Sequence, residues 1–262
     1  MFDSGFGGLT VARAVMDLLP AEDLVYLGDT GRYPYGPRDL TEVRGFARQI
    51  TRHLVDAYDV KVVVVACNTA AAAALDVLRD ECPVPVLGVI EPGARALVQT
   101  TVTGRVGVIG TVGTIGSGAY QEAVHEAAGE SAVALTCAAC PGFVEFVERG
   151  ETHTEQVYVL AERLLDPVRK AGVDALLLGC THYPFIARTI GDVMGRDVVL
   201  VSSADETAFA LKSLLEVAEL ESGSGRLGKH RWVSTGDAAE FARLGRRLLG
   251  PELDIVDALE WT

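Results

Sequence analysis

Basic residues are scarce in this chain. Across 262 residues, 23 Lys and Arg face 36 Asp and Glu, for a formal net charge of -13. Nucleic acid and anionic membranes both draw proteins in through basic surface, so neither is expected as a main partner. Long apolar runs are missing as well. The longest strongly apolar stretch, Val62 to Leu75, is interrupted by Asn68 and Thr69. It falls short of the roughly 20 residues that a membrane span needs. The opening "MFDSG" has neither the basic segment nor the apolar core of a secretory signal, so a cytoplasmic location is expected. Five cysteines in that setting read as free thiols rather than a disulfide frame.

Familiar cofactor motifs are absent too. "GTVGTIGSG" carries no lysine and is not a P-loop. "DSGFGG" fails the dinucleotide pattern, because Thr10 stands where the third glycine belongs and almost no strand precedes it. Asp29 follows "LVYLG" about where a ribose-binding acid would stand, but without the glycines it does not make a dinucleotide site. No cofactor-lysine motif surrounds Lys61, Lys170, Lys212 or Lys229. Cys137 and Cys140 form a single CxxC, a weak zinc signal even with Cys180 and His182 in view. No metal and no cofactor are assigned.

What the chain does have is alternation. Short apolar runs begin at Leu24, Val60, Val84, Arg105, Asp174 and Asp197, with amphipathic segments between them. Val43, Phe46, Ile50, Leu54 and Tyr58, for example, fall at helical spacing. Continuous apolar strands alternating with helices imply parallel sheets covered on both faces. The number of units suggests two α/β domains. A weak internal echo agrees: Cys67 comes 64 positions after Asp3, and Cys180 comes 69 after Thr111. "ELESGSGRLGKH", from Glu219, reads as a surface loop, and His53, His125, His153 and His230 as surface residues.

The cysteines of "VVVVACNTAA" and "ALLLGCTHYP" both follow an apolar strand and precede an expected helix. In parallel sheets, ligands bind beyond the carboxyl ends of strands. A helix start lowers a thiol's pKa and can also hold a carboxylate. A lone cysteine after a valine run is usually a small buried residue, which is how Cys82 reads. Two at matched corners weaken that explanation. Paired thiols suit inversion of a carbon centre, one acting as base on one face and the other as acid on the opposite face.

The segments "FDSGFGGLTV", "DTGRYPYG", "ACNTA", "IGTVGTI", "CPGFVEFVE" and "LGCTHYP" resemble, in order, the signatures of the glutamate racemases of the aspartate/glutamate racemase family. The resemblance spans almost the whole chain. It implies two pseudo-symmetric α/β domains, each a mainly parallel sheet flanked by helices, with the active site in the interdomain cleft. The first domain would comprise residues 1–91 and 203–262, the second 92–202. It implies cofactor-independent interconversion of L- and D-glutamate for peptidoglycan synthesis, in a homodimer.

The same resemblance places the catalytic thiols at Cys67 and Cys180, with Asp3, Glu148 and His182 assisting. Asp3, Ser4, Tyr35, Gly36, Asn68, Thr69, Thr111, Thr181 and His182 would line the substrate. Family members usually carry several residues before the position of Phe2, so a clipped first strand and a less firmly held Asp3 are expected here. Two alternatives stay open: an aspartate or related racemase of the same family, and a non-catalytic binding protein on this fold. Aspartate racemases tend to carry an acidic residue where His182 stands, and intact Cys67 and Cys180 speak for chemistry.

Overall fold

All six apolar runs form strands in the computed structural model, and every strand pairing in it is parallel. The structure describes residues 1–223 and 225–261; Ser224, within the expected surface loop from Glu219, and Thr262 lie outside the described residues. The chain divides into two units, Met1–Val89 with Ala204–Thr262, and Ile90–Ser203. No helix among the described residues is long and apolar enough to cross a membrane.

The first unit opens with β1 (Phe2–Asp3), α1 (Leu9–Leu18), β2 (Leu24–Gly28), α2 (Leu40–Tyr58), β3 (Val63–Val65), α3 (Asn68–Glu81) and β4 (Val86–Gly88). The second contains α4 (Ile90–Thr100), β5 (Arg105–Gly110), α5 (Val112–Gly116), α6 (Ala119–Ala128), β6 (Ala134–Ala139), α7 (Phe143–Arg149), α8 (Glu155–Lys170), β7 (Ala175–Gly179), α9 (Ala187–Met194) and β8 (Val199–Ser202). The chain then returns through α10 (Ser203–Val217), β9 (His230–Ser234), α11 (Ala238–Leu249) and β10 (Val256–Ala258) to complete the first sheet.

Local chemistry sets these bounds. Helix α2 starts where the Asp39 carboxylate accepts a hydrogen bond from the Thr41 amide at 2.7 Å, supplying one of the partners that a helix start lacks. It buries Val43, Ala47, Ile50 and Leu54, and packs chiefly along α3 with a smaller contact on β2. It ends at Asp59, whose φ of 49° turns the chain left-handed. Helix α3 is rich in alanine, and Ala70, Ala71, Ala73 and Ala74 are all buried. Small side chains let this helix lie close to its neighbours while keeping high helix propensity. The strands contribute Phe2, Tyr26, Leu27 and Trp232 to the largest buried side chains, and helices contribute Leu9, Tyr120, Phe143 and Phe241. Each such burial stabilises the fold by about 1.5–3 kcal/mol.

The six-stranded sheet runs β10-β9-β2-β1-β3-β4 and the four-stranded sheet β6-β5-β7-β8. Both share one path. The first strand of each unit lies between the second and third, so the chain steps to one side and then crosses to the other. That reversal is a topological switch point, where loops diverge and leave a crevice at the strands' carboxyl ends. In the first unit it lies between β1 and β3, in the second between β5 and β7.

Strand β1 is only two residues long, yet it is held from both sides. The Asp29 amide donates to the Asp3 carbonyl at 2.9 Å, and the Ala66 amide to the Phe2 carbonyl at 2.9 Å. Phe2 and Asp3 are fully buried. The expected looseness of Asp3 is therefore corrected: pairing on both edges compensates for the short strand.

Candidate active site

Asp3 ends β1, and Cys67 lies two residues beyond β3, so both stand at the first switch point. One Asp3 carboxylate oxygen accepts from the Gly5 amide at 3.0 Å. Gly8 is required beside it: a Cβ there would lie 2.7 Å from the Asp3 Cβ and 2.8 Å from the Tyr26 hydroxyl. Cys67 is the N-cap of α3, and its Sγ accepts from the Ala70 amide at 3.5 Å. The Ser4 Oγ lies 3.7 Å from the same sulfur. Asn68 and Thr69 form the first turn of α3 and are buried with Ser4. Burial, and then the Asp3 charge, push the Cys67 thiol up to about 12. The amides at the helix start act in the opposite direction but do not outweigh burial. The expectation of a lowered thiol pKa at this corner is thus reversed, because desolvation of a thiolate exceeds the stabilisation offered by one helix end.

The second switch point carries Thr111 after β5 and Cys180 after β7. Thr111 is the N-cap of α5, its Oγ1 accepting from the Thr114 amide at 3.2 Å. Cys180, Thr181 and His182 are buried. Here too the structure departs from expectation. No α-helix starts at Cys180; a 3-10 turn, Tyr183–Ile186, intervenes before α9. The Tyr183 amide donates to the Cys180 carbonyl at 3.1 Å. Pro184 sits in the first turn of either kind of helix, so the sequence alone does not separate them.

His182 Nε2 lies 3.6 Å from a Glu148 carboxylate oxygen. Glu148 reaches it from α7, whose start is set by Gly142 at φ +94°, a backbone state open to glycine. The Tyr183 hydroxyl donates to the Cys140 carbonyl at 3.1 Å, and the Tyr183 ring meets Phe143 edge-on. These contacts fasten the "CPGFVEFVE" segment to the Cys180 corner. Cys137 lies in β6 and Cys140 just after it, and burial pushes their thiols up to about 11 and about 12. Cys82 caps the far end of α3 and is half-buried.

The family model for Asp/Glu/hydantoin racemases matches residues 9–210. The chain belongs to that family. It is 50% identical over 262 residues to the glutamate racemase of Parafrankia sp. (strain EAN1pec), covering 98% of this chain and 92% of that one. Among solved structures it resembles glutamate racemase isoform RacE1 of Bacillus anthracis, at 40% identity and a TM-score of 0.92, covering 100% of this chain and 96% of that chain. It also resembles the Francisella tularensis glutamate racemase in complex with D-glutamate, at 32% identity and a TM-score of 0.90, covering 99% and 96% of the two chains.

Within this racemase fold, Asp29 has a part that its sequence position does not reveal. It is fully buried at the end of β2. Its carboxylate accepts from Arg32 Nε at 2.7 Å, Thr235 Oγ1 at 2.7 Å, Trp261 Nε1 at 3.0 Å and the Tyr35 hydroxyl. Tyr35 is buried, and its phenol is pushed far above its ordinary range by desolvation and the Asp29 charge. The hydroxyl is thus committed to Asp29, and half-buried Gly36 follows it. The acid in "GDT" was the only signal of this hub in the sequence. His125 and His153 are exposed as expected, but His53 packs edge-on to Tyr58 and Trp261, and His230 is half-buried beside Trp232. Both belong to the packing of the C-terminal segment.

Proposed function

We propose that this chain interconverts L- and D-glutamate by two-base proton transfer, with Cys67 and Cys180 acting on opposite faces of the α-carbon. The observation that carries the reading is the repeated switch point, which places one cysteine at the same corner of each unit with polar helpers of opposite character. Asp3 serves Cys67, and the His182–Glu148 pair serves Cys180. Family likeness to glutamate racemases and the histidine at position 182 favour glutamate over aspartate.

The chemistry follows from the environments. A thiol pushed up to about 12 is protonated at neutral pH, so Cys67 rests as a proton donor. Glutamate that loses its α-proton to Cys180 would receive one from Cys67 and leave as the D-enantiomer. In reverse, Cys67 must first lose its proton, and Asp3 is the nearby acceptor. His182, when protonated, stabilises a thiolate at Cys180, and Glu148 holds its ring. Ser4, Asn68, Thr69, Thr111 and Thr181 supply hydroxyls, an amide and helix-start N–H groups for the substrate's carboxylates. Donors aimed at an α-carboxylate that gains charge lower the barrier to removing a weakly acidic proton. D-glutamate made in this way would feed peptidoglycan synthesis in the cytoplasm, from a homodimer.

Incubation with L-glutamate in heavy water, followed by chiral analysis, tests the reading. Product D-glutamate is expected to carry deuterium at the α-carbon while unreacted L-glutamate initially does not. Equal washout into unreacted substrate would indicate a single base, and no turnover of glutamate would leave the two alternatives, a racemase of aspartate or a related amino acid and a binding protein. A monomer in analytical ultracentrifugation would remove the homodimer.

A further inference from the structure

The two oxygens of buried Asp29 serve different parts of the first unit. Oδ2 accepts from Arg32 and Tyr35, within the loop that leads to Gly36. Oδ1 accepts from Thr235 and Trp261, which follow β9 and β10. Trp261 also makes a second contact with the loop. The Arg32 guanidinium carbon lies 4.7 Å from the Trp261 ring centre and 4.3 Å from that of Phe46. Arg32 is thus held between two aromatic faces, and Phe46 in turn packs on the Tyr35 ring at 5.5 Å. Pairing of β10 with β9, and the Leu259 amide on the Ser234 carbonyl at 2.8 Å, deliver Trp261 to this place.

We propose that Trp261 is a positioning residue for the reaction, acting through Asp29 and Arg32 to set the loop Thr30–Gly36 and the hold of Tyr35 and Gly36 on substrate. This rests on the proposed function and on the family resemblance, by which Tyr35 and Gly36 line the substrate. The physical ground is satisfaction of a buried carboxylate. Losing the indole N–H leaves Oδ1 with one donor, and losing the ring strips one aromatic face from Arg32. Both partners then gain freedom, and Tyr35 is bonded to one of them.

Racemisation kinetics of Trp261→Ala and Trp261→Phe, beside the unaltered protein, supply the first test. Trp261→Ala is expected to raise KM for D-glutamate about ten-fold with kcat within about two-fold. Trp261→Phe, which keeps a ring but not the N–H, is expected to fall between. A merely structural role would lower the melting temperature and leave KM unmoved. A second test uses the unaltered sequence labelled with fluorotryptophan. Only two tryptophans are present, and Trp261→Phe assigns their fluorine resonances. Titrating D-glutamate is expected to shift the Trp261 signal saturably and not that of Trp232. If Trp261→Ala does not fold, Trp261→Phe and the titration decide. An unchanged KM, or a stationary Trp261 signal in protein that turns glutamate over, overturns the inference and leaves the function standing. If the unaltered protein turns over no glutamate, the functional reading falls first and takes this inference with it.

Discussion

The Cys67 and Cys180 corners share a place in their sheets and little else. Each follows the third strand of its unit, beside the loop after the first. Cys67 caps a long alanine-rich helix, sits next to buried Asp3 and has a thiol pushed upward. Cys180 precedes a 3-10 turn and is followed by His182, held near Glu148. A repeated fold thus supplies position, and the residues grafted onto it differ in kind, an acid at one corner and a histidine at the other. An anion beside a thiol disfavours the thiolate, while a protonated imidazole favours it. The proposed two-base reaction calls for one thiol and one thiolate at a time, and unlike corners are what that proposal needs.

The strongest test of this comparison removes each sulfur in turn. Cys67→Ser and Cys180→Ser are each expected to lower racemisation by about a thousand-fold, within the range that a positioned acid or base contributes. Cys82→Ser should behave like the unaltered protein. Near-full activity in either corner variant would remove the pairing altogether.

A second test separates the helpers. The enantiomers have equal free energies in water, so kcat/KM must stay equal in the two directions for every variant, and only kcat and KM separately can diverge. Asp3→Asn is expected to lower kcat more from D-glutamate, and His182→Asn more from L-glutamate, by about ten-fold in the affected direction. Glu148→Gln should follow His182→Asn with a smaller loss. Polarimetry from both enantiomers reads this directly, and equal losses would unseat the assignment of helpers to thiols.

A third test needs no substrate. Asp3 raises the Cys67 pKa, so Asp3→Asn lowers it and enlarges the thiolate fraction at any pH below it. Iodoacetamide labelling of Cys67 at pH 8, followed by peptide mass spectrometry, should be a few-fold faster in that variant. No acceleration would place the burial effect alone in charge of this corner.

The smallest expected effect concerns packing. At the first corner, a Cβ on Gly8 meets Asp3 and Tyr26, whereas nothing lies within 4 Å of one on Gly116 after the Thr111 corner. Gly8→Ala should cost about 1–3 kcal/mol by overpacking. Gly116→Ala should leave stability unchanged or raise it by about 0.5 kcal/mol. Urea denaturation of both variants compares the tightness of the two loops.

Much of this was legible in the residues, for a physical reason. Strands buried on both faces write continuous apolar runs, so β2, β3, β4, β5 and β7 could be read directly; β8, though half-buried at a sheet edge, carries the apolar run Val198–Val201 and showed as well. Strand β6, "ALTCAA", is half-buried at a sheet edge; β9, "HRWVS", opens on polar His230 and Arg231, and β10 is three residues long and mostly exposed. None of the three has such a run. The cysteine corners showed because small and polar residues break an apolar run abruptly. The direction of the Cys67 shift did not show, since it depends on burial weighed against a helix end. The Asp29 hub gathers donors from Arg32 to Trp261, a separation that no local pattern encodes.

Strand β2 makes its outer pairing only with β9, from Leu24↔His230 to Gly28↔Ser234. The whole second unit is made between them. On a ribosome adding about 5–20 residues per second, β2 would wait roughly 10–40 s with one edge open. The second unit, continuous in sequence, can finish folding during that interval. An open apolar edge is a template for pairing with other chains, so the order of synthesis itself exposes the nascent Cys67 half to misassembly for longer than the Cys180 half.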